Sequence, residues 1–209
     1  MKIDNSFQLF VFTQPEIFKD EKKFISQVFE LGSSGIYLRK EKNSAYISSI
    51  FKNVNRKFHH KLIIPLSFYD ENGFQKIKSI IHFKEKERTT LNLLKVPSDV
   101  GLSTSIHDLS EWSMLSDRFK LIFYSPVFES ISKPNYKPKI SLEELSLQIE
   151  KYRSTKEKLP QLIALGGINE RNILQIKDAG FDGAALFGAM WNSLNPVNEF
   201  RKIKMIFDQ

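Results

Sequence analysis

Eight short apolar runs alternate with helical patterns along this sequence of 209 residues, and the alternation predicts an α/β fold, a (β/α)8 TIM barrel. Strands that alternate with helices run parallel and are joined by right-handed crossovers, and eight of them close into a ring. The length also suffices, because the smallest barrels of this class have about 200 residues. We therefore expect a single barrel domain over residues 1–209.

The predicted strands are the apolar runs bounded by turn residues, and the predicted helices lie between them. The strands are 8–12, 35–38, 62–65, 80–83, 100–103, 121–124, 162–165 and 183–187. The helices are 16–31, 44–55, 72–78, 109–115, 142–152, 170–179 and 196–207, with a degenerate connection between the fourth and fifth strands. One long irregular stretch, 125–140, follows strand six, and loops of this length in a compact domain are usually functional.

The last two strands both end in glycine, which predicts a phosphate site. Gly166 and Gly167 close strand seven, Phe187 and Gly188 close strand eight, and Asn169 is placed as the N-cap of the intervening helix. In (β/α)8 barrels the loops after these two strands commonly bind phosphate through backbone N–H groups. One such glycine alone is more often only a tight turn, so the prediction depends on the pair.

Composition and charge predict a soluble cytoplasmic protein. Hydrophobic residues make up 41% and charged residues 26%, no apolar run approaches the ~18 residues of a membrane span, and the N-terminus does not resemble a signal peptide. The lack of cysteine excludes disulfides, thiolate metal sites and thiol nucleophiles. The net charge of +7 comes from lysines interspersed with glutamates, which indicates solubility first and attraction for a small anionic substrate second.

Basic and hydroxyl side chains follow several strands at the end where a barrel carries its active site. They are Arg39 and Lys40 after strand two, Ser105 and His107 after strand five, and Ser130, Ser132 and Lys133 after strand six. Guanidinium, ammonium and hydroxyl groups all bind oxyanions. The alternatives are a solvated basic surface for Arg39 and Lys133 and a structural role for His107. His82, which ends strand four, is a weaker catalytic candidate.

Five segments spread over nearly the whole chain match the motifs of one family. YLRKE matches Q-L-R-x-K, SIIHF matches G-V-H-L, and STSIHDLSE matches S-x-H-[ST]-x-E-E. FYSPVFESISK matches F-G-P-[IV]-F-x-T-x-T-K, and LIALGGIN with AALFGAMW matches A-I-G-G-I-x and the last strand. The chain therefore resembles the thiamine-phosphate synthase and TenI family of (β/α)8 proteins.

This resemblance implies two phosphate-binding regions at the mouth of the barrel. In the family, one binds the diphosphate of hydroxymethylpyrimidine diphosphate, and the other binds thiazole phosphate at the last two glycine turns. The resemblance assigns Arg39, Ser130, Ser132 and Lys133 to the first region and Gly166, Gly167, Phe187 and Gly188 to the second. With the residues at neighbouring strand ends added, we predict Arg39, Lys133 and His107 as catalytic residues. The predicted substrate contacts are Lys40, Ser105, Ser130, Ser132, Gly166, Gly167, Ile168, Phe187 and Gly188.

The sequence also departs from the family motifs where the metal and the proton carrier belong. Synthases follow strand three with Asn-Asp, whose carboxylate helps to hold Mg²⁺, whereas this chain has Pro65 and Leu66. Glu87 matches a second acidic position, but one carboxylate is a poor Mg²⁺ site, so Mg²⁺ is a doubtful cofactor. TenI-type thiazole tautomerases carry a His where this chain has Pro126.

Three functions therefore stay open from the sequence. The chain is a transferase that couples the two phosphorylated substrates, a thiazole isomerase with His107 as the proton carrier, or a binding or regulatory protein without catalysis. Each function predicts small phosphorylated partners and neither nucleic acid nor a membrane. The sequence also leaves a homodimer open.

Overall fold

A computed structural model shows a closed barrel of eight parallel strands, which confirms the predicted fold class. It describes residues 7–40, 44–69, 78–88, 96–115, 117–129, 137–156 and 158–207. Each strand pairs with the next, and β8 returns to pair with β1. The strands are β1 (Gln8–Phe12), β2 (Gly35–Tyr37), β3 (Leu62–Pro65), β4 (Ile80–Phe83), β5 (Leu102–Ile106), β6 (Phe119–Tyr124), β7 (Gln161–Leu165) and β8 (Gly183–Leu186).

Helices cover the outside of this barrel in the part of the chain that the structure describes. The α-helices are α1 (Glu21–Glu30), α2 (Ser44–Asn53), α3 (Leu142–Thr155), α4 (Ile173–Asp178), α5 (Gly188–Trp191) and α6 (Pro196–Phe207). The 3₁₀ helices are Arg56–Lys61, Leu66–Phe68, Glu85–Glu87 and Leu109–Met114. Among these described helices, none is long and apolar enough to cross a membrane.

The two faces of each strand build two separate cores, because successive side chains point to opposite sides of a strand. The residues that face the barrel axis form a core rich in aromatic rings: Phe10, Phe12, Tyr37, Ile63, Leu121, Phe123, Ile163 and Ala185. Phe12 packs edge-on against Tyr37 and Phe123, with ring centroids 4.8 and 5.0 Å apart. Since side chains fill the interior, a ligand must bind at the mouth, where the strands end.

The fifth strand is longer and lies later in the chain than the predicted 100–103. It continues to Ile106 because the hydroxyl side chains within it have partners inside the protein. The Thr104 hydroxyl, for example, donates to the carbonyl oxygen of Phe83 at 2.6 Å. The strand end was not predicted because residues 103–105 are serine and threonine, which are more typical of loops.

Several predicted helices differ from the structure or lie outside it, and three of them differ most. Helix α1 begins at Glu21 rather than at 16, because Asp20 has a left-handed backbone with φ of 64° that interrupts the helix. Residues 109–114 form a 3₁₀ helix instead of an α-helix. The predicted helix 72–78 lies almost entirely outside the described residues.

Candidate phosphate site at the barrel mouth

The turn after β7 has a backbone conformation that only glycine adopts readily. Gly166 and Gly167 have φ of 101° and 68°, in the left-handed region. A Cβ atom on Gly167 would also lie 2.4 Å from the carbonyl oxygen of Glu129, which belongs to the loop after β6. The two loops are joined by a backbone hydrogen bond from Phe128 to Gly166 at 3.1 Å. The glycines therefore allow two loops to touch at the mouth.

Two asparagines fix the orientation of this turn. The side-chain amides of Asn169 and Asn172 both donate to the carbonyl oxygen of Gly167, at 3.3 and 3.0 Å. Helix α4 begins at Ile173, later than predicted, but Asn169 does cap the turn that leads into it: its side-chain oxygen accepts from the backbone N–H of Arg171 at 2.9 Å. With this carbonyl held by amides, the backbone N–H groups of Gly167 and Ile168 donate to no acceptor within the described residues.

The turn after β8 lies beside the end of β1, and its aromatic residue, Phe187, is in contact with an arginine that follows β2. Phe187 precedes the short helix α5, and the indole of Trp191 in that helix donates to the carbonyl oxygen of Phe12 at 2.9 Å. The guanidinium carbon of Arg39 lies 5.5 Å from the centroid of the Phe187 ring, within cation–π range. The predicted basic residue of strand two and the predicted glycine turn of strand eight therefore meet.

Lys40 was predicted to bind substrate, and the structure corrects this. Its side chain is fully buried, and its ammonium lies 2.7 Å from a carboxylate oxygen of Glu21 in α1. The ammonium also donates to the carbonyl oxygens of Gln14 and Glu16, at 2.7 and 2.5 Å. Two of its three N–H donors thus go to backbone carbonyls, and the Glu21 carboxylate balances its charge. Lys40 therefore joins β2 to the α1 layer and does not face the mouth.

The end of β5 places Ser105 and His107 on one side of the mouth. His107 Nδ1 lies 2.6 Å from the carbonyl oxygen of Ser125, so this nitrogen carries the proton and donates it. Asp108, not His107, caps the following 3₁₀ helix by accepting from the backbone N–H of Ser110. The hydrogen bonds from Ser110 lower the pKa of the Asp108 carboxyl. The predicted residues Ser130, Ser132 and Lys133 lie outside the described residues.

A cluster of His82, Ser103 and Ser105 lies below the mouth, although the sequence indicated only a weak role for His82. His82 is only 4% exposed and lies inside the barrel, with its Nδ1 3.0 Å from the Ser103 hydroxyl and its Nε2 3.4 Å from the Ser105 hydroxyl. Burial, reinforced by the charges of Lys84 and Arg88, lowers the pKa of His82 to about 3. The imidazole is therefore neutral at physiological pH.

The residues at the ends of β3 and β4 do not suit a divalent cation. Pro65 is buried, and Leu66 begins a 3₁₀ helix, so neither supplies an oxygen ligand from its side chain. The carboxylate of Glu87 accepts from the backbone N–H of Lys84 at 2.7 Å, in a turn that also carries two further basic side chains, Lys86 and Arg88. Among the described residues, no three histidine or acidic side chains form a cluster suited to a metal.

Comparison with known families agrees with this architecture. The family model described as thiamine monophosphate synthase matches residues 81–190, just over half of the chain. The matched region runs from β4 to helix α5 and so includes both glycine turns.

Individual relatives named thiamine-phosphate synthase match stretches of 85 and 111 residues. A thiamine-phosphate synthase of Syntrophomonas wolfei is 35% identical over 85 residues, which cover 41% of this chain and 38% of that protein. One from Anoxybacillus flavithermus is 28% identical over 111 residues, covering 53% of this chain and 49% of the relative. In these alignments the chain spans less than half the length of the relatives.

Solved structures extend the similarity to the whole fold. The thiamine phosphate pyrophosphorylase of Bacteroides thetaiotaomicron superposes with a TM-score of 0.76 and 26% identity, covering 97% of this chain and 98% of the other. The corresponding protein of Pyrococcus furiosus has a TM-score of 0.71 at 17% identity, covering 98% of this chain and 96% of the other, and at that identity it supports the fold alone.

Proposed function

Because the chain belongs to the thiamine monophosphate synthase family, we propose that it is a thiamin-biosynthesis protein that couples thiazole phosphate to hydroxymethylpyrimidine diphosphate. The observation that supports this most is the pair of glycine turns. Within the part of the chain that the structure describes, the N–H groups of Gly167 and Ile168 have no acceptor. They lie one strand away from Gly188, and Arg39 lies against Phe187, which precedes Gly188. Backbone N–H groups and a guanidinium are suitable donors for a phosphate.

In the proposed reaction, the protein stabilises charge and positions two rings. The CH₂–O bond of the pyrimidine breaks, and the diphosphate leaves with the bonding electron pair. The lone pair of the thiazole nitrogen then forms the new C–N bond to that carbon. Arg39 and the Ser105 hydroxyl are the described groups placed to hydrogen-bond the leaving oxygens, and we assign Lys133 to the same role by its match to the family motif. Preorganised donors of this kind stabilise a developing anion.

We further propose that this reaction depends only weakly on Mg²⁺. Pro65 and Leu66 stand where synthases place a metal-binding carboxylate, and the Glu87 carboxylate caps its own 3₁₀ turn. Charge on the leaving diphosphate therefore has to be balanced by arginine and lysine. We expect slower turnover than in complete synthases, because fixed monovalent cations replace a divalent ion.

A second function, isomerisation of the thiazole, is favoured by the position of His107. The carbonyl oxygen of Ser125 holds the His107 ring, and Pro126 follows at the position where tautomerases carry their histidine. His107 is thus held close to the place from which the tautomerase histidine acts. In this second function His107 moves the proton, and the diphosphate substrate is not needed.

One assay distinguishes these functions from simple ligand binding. The chain is incubated with both phosphorylated substrates, with and without Mg²⁺, and thiamin phosphate and isomerised thiazole phosphate are measured together. Thiamin phosphate formed at similar rates with and without Mg²⁺ supports the transferase. Isomerised thiazole alone supports the second function, and binding without either product leaves a binding protein. A steep Mg²⁺ requirement at ordinary synthase rates would contradict our account of the metal.

The phosphate site itself is tested by a pair of glycine substitutions. Gly188→Val adds bulk at the predicted site, whereas Gly101→Val adds the same bulk before β5, at the opposite end of the barrel. We expect thiazole phosphate to raise the melting temperature of the wild-type chain and of Gly101→Val but not of Gly188→Val. If thiazole phosphate also raised the melting temperature of Gly188→Val, the phosphate would not bind at this turn.

A further inference from the structure

The barrel interior contains one chain of polar groups that leads from a buried position to the mouth. Ser103 is fully buried, His82 lies next to it, and Ser105 is half-exposed two residues further along β5. Tyr37 and Phe123 pack against the imidazole, with ring centroids 4.7 and 5.9 Å away. The surrounding core is apolar, so the polar groups depend on one another for hydrogen bonds.

The hydrogen-bond donors and acceptors in the series Ser103–His82–Ser105 can be assigned by starting from Ser103, its buried end. A neutral imidazole has one N–H donor and one acceptor nitrogen. The Ser103 hydroxyl has a proton to donate, and within the described residues His82 Nδ1 is its only hydrogen-bonding partner. If Nδ1 carried the ring proton, the Ser103 proton would be buried without an acceptor, which is unfavourable. Ser103 therefore donates to Nδ1, and the ring proton is on Nε2.

From this order, we propose that His82 is a positioning residue that directs the Ser105 hydroxyl toward the mouth as a hydrogen-bond donor. The Nε2–H group donates to Ser105 Oγ, which lies 3.4 Å away. Ser105 then accepts from the interior, and its own proton points outward. An outward hydroxyl proton suits an oxyanion, such as a phosphate or diphosphate oxygen, and does not suit a cation.

This inference rests on the proposed function for the identity of the ligand but not for the proton order. In the opposite order, with Nδ1 protonated, Ser105 would donate inward to Nε2 and present only lone pairs to the mouth. An anionic substrate would then meet an acceptor, and Ser105 would weaken its binding. The tautomer of His82 thus decides between a donor and an acceptor at this position.

The tautomer is measured directly by NMR on the ¹⁵N-labelled full chain at neutral pH. Two-bond ¹H–¹⁵N spectra distinguish the two neutral tautomers of a histidine, and the spectrum of His82→Gln identifies which of the four histidine signals belongs to His82. We expect the Nε2–H form. An Nδ1–H form would overturn the proposal whatever the chain catalyses. Ser103→Ala, which removes one buried hydroxyl, is expected to release the preference and yield both tautomers.

The consequence for binding is measured with inorganic pyrophosphate as the probe. We expect Ser105→Ala to weaken binding about tenfold, as one lost hydrogen bond to a charged group. His82→Gln should weaken it in the wild-type background and add nothing in the Ser105→Ala background, since it acts through Ser105. His59→Gln removes a histidine outside the barrel and is the control.

Each outcome of the binding experiment counts for or against a distinct statement. Equal losses from His82→Gln in both backgrounds would overturn the positioning role. No pyrophosphate binding by the wild-type chain would contradict the proposed function, while the NMR result would still decide the proton order. If His82→Gln fails to fold, the same non-additivity is tested with Ser103→Ala.

Discussion

Acidification is expected to destabilise this protein through one buried histidine, His82. In the unfolded chain, His82 takes up its proton around its ordinary pKa of 6.5, whereas burial lowers the pKa in the folded chain to about 3. Between these values the unfolded state binds more protons than the folded state. The free energy of unfolding therefore falls as the pH falls through this window, and His82 contributes no pH dependence above it.

The size of the effect follows from the width of that window. Each pH unit between the two pKa values changes the free energy of unfolding by about 1.4 kcal/mol. The unfolded histidine is half protonated at pH 6.5, so acidification from about pH 6.5 to about pH 4.5 should remove about 2.3 kcal/mol, a large part of the total stability of an ordinary domain. The loss arises because the folded imidazole, packed against Tyr37 and Phe123 and hydrogen-bonded to serine hydroxyls, does not take up the proton that the unfolded chain binds.

The assay compares the wild-type chain with His82→Gln, which keeps a side chain able to hydrogen-bond but does not titrate. Urea unfolding is followed at several pH values by the fluorescence of Trp112 and Trp191. Carboxylates titrate in both proteins, so the difference between the two curves isolates His82. We expect the wild-type chain to lose its advantage as the pH falls from about 6.5. Parallel pH profiles for the two proteins would refute the reasoning.

Three further predictions test the packing and the loop. Lys40→Met should lower the free energy of unfolding by about 3–5 kcal/mol, because it leaves a buried carboxylate unpaired, whereas Lys57→Met, at an exposed ion pair, should cost less than about 1 kcal/mol in the same urea titration. Gly167→Ala should lower the melting temperature through a φ of 68° and a backbone clash, and an unchanged melting temperature would contradict that turn. Lys133→Ala should weaken pyrophosphate binding far more than Lys137→Ala, and equal effects would place both lysines at the solvated surface.

The fold was predictable because each strand is locally marked. Apolar runs bounded by turn residues gave eight strands in the right order, and the barrel follows from alternation with helices. Strands β1, β3 and β4 have the predicted bounds. The prediction failed in β5, where buried polar side chains have hydrogen-bond partners on another strand. The Thr104 hydroxyl, for example, donates to the carbonyl oxygen of Phe83 on β4.

The glycine turn after β7 was also predictable, since the left-handed backbone at Gly166 and Gly167 favours glycine and so leaves a mark in the sequence. The polar chain in the interior was not. His82 and Ser103 are partners only because β4 and β5 pair in a register that places them side by side, and the connection between these strands has no helical pattern from which that register could be inferred. The contact between His82 in β4 and Ser103 in β5 therefore could not be predicted from the sequence.

The difference between Arg39 and Lys40 shows what strand geometry adds to a sequence motif. Both are basic, both follow β2, and both were assigned to the substrate. Side chains alternate between the two faces of a strand. Since Tyr37 points toward the barrel axis, Arg39 points to the same side and Lys40 points outward. Arg39 consequently reaches Phe187 at the mouth, while Lys40 reaches the buried Glu21 carboxylate on α1. The same alternation brings His82 and Ser105 to the inner face, so one geometric rule separates the residues that can contact a ligand from those that hold the helices.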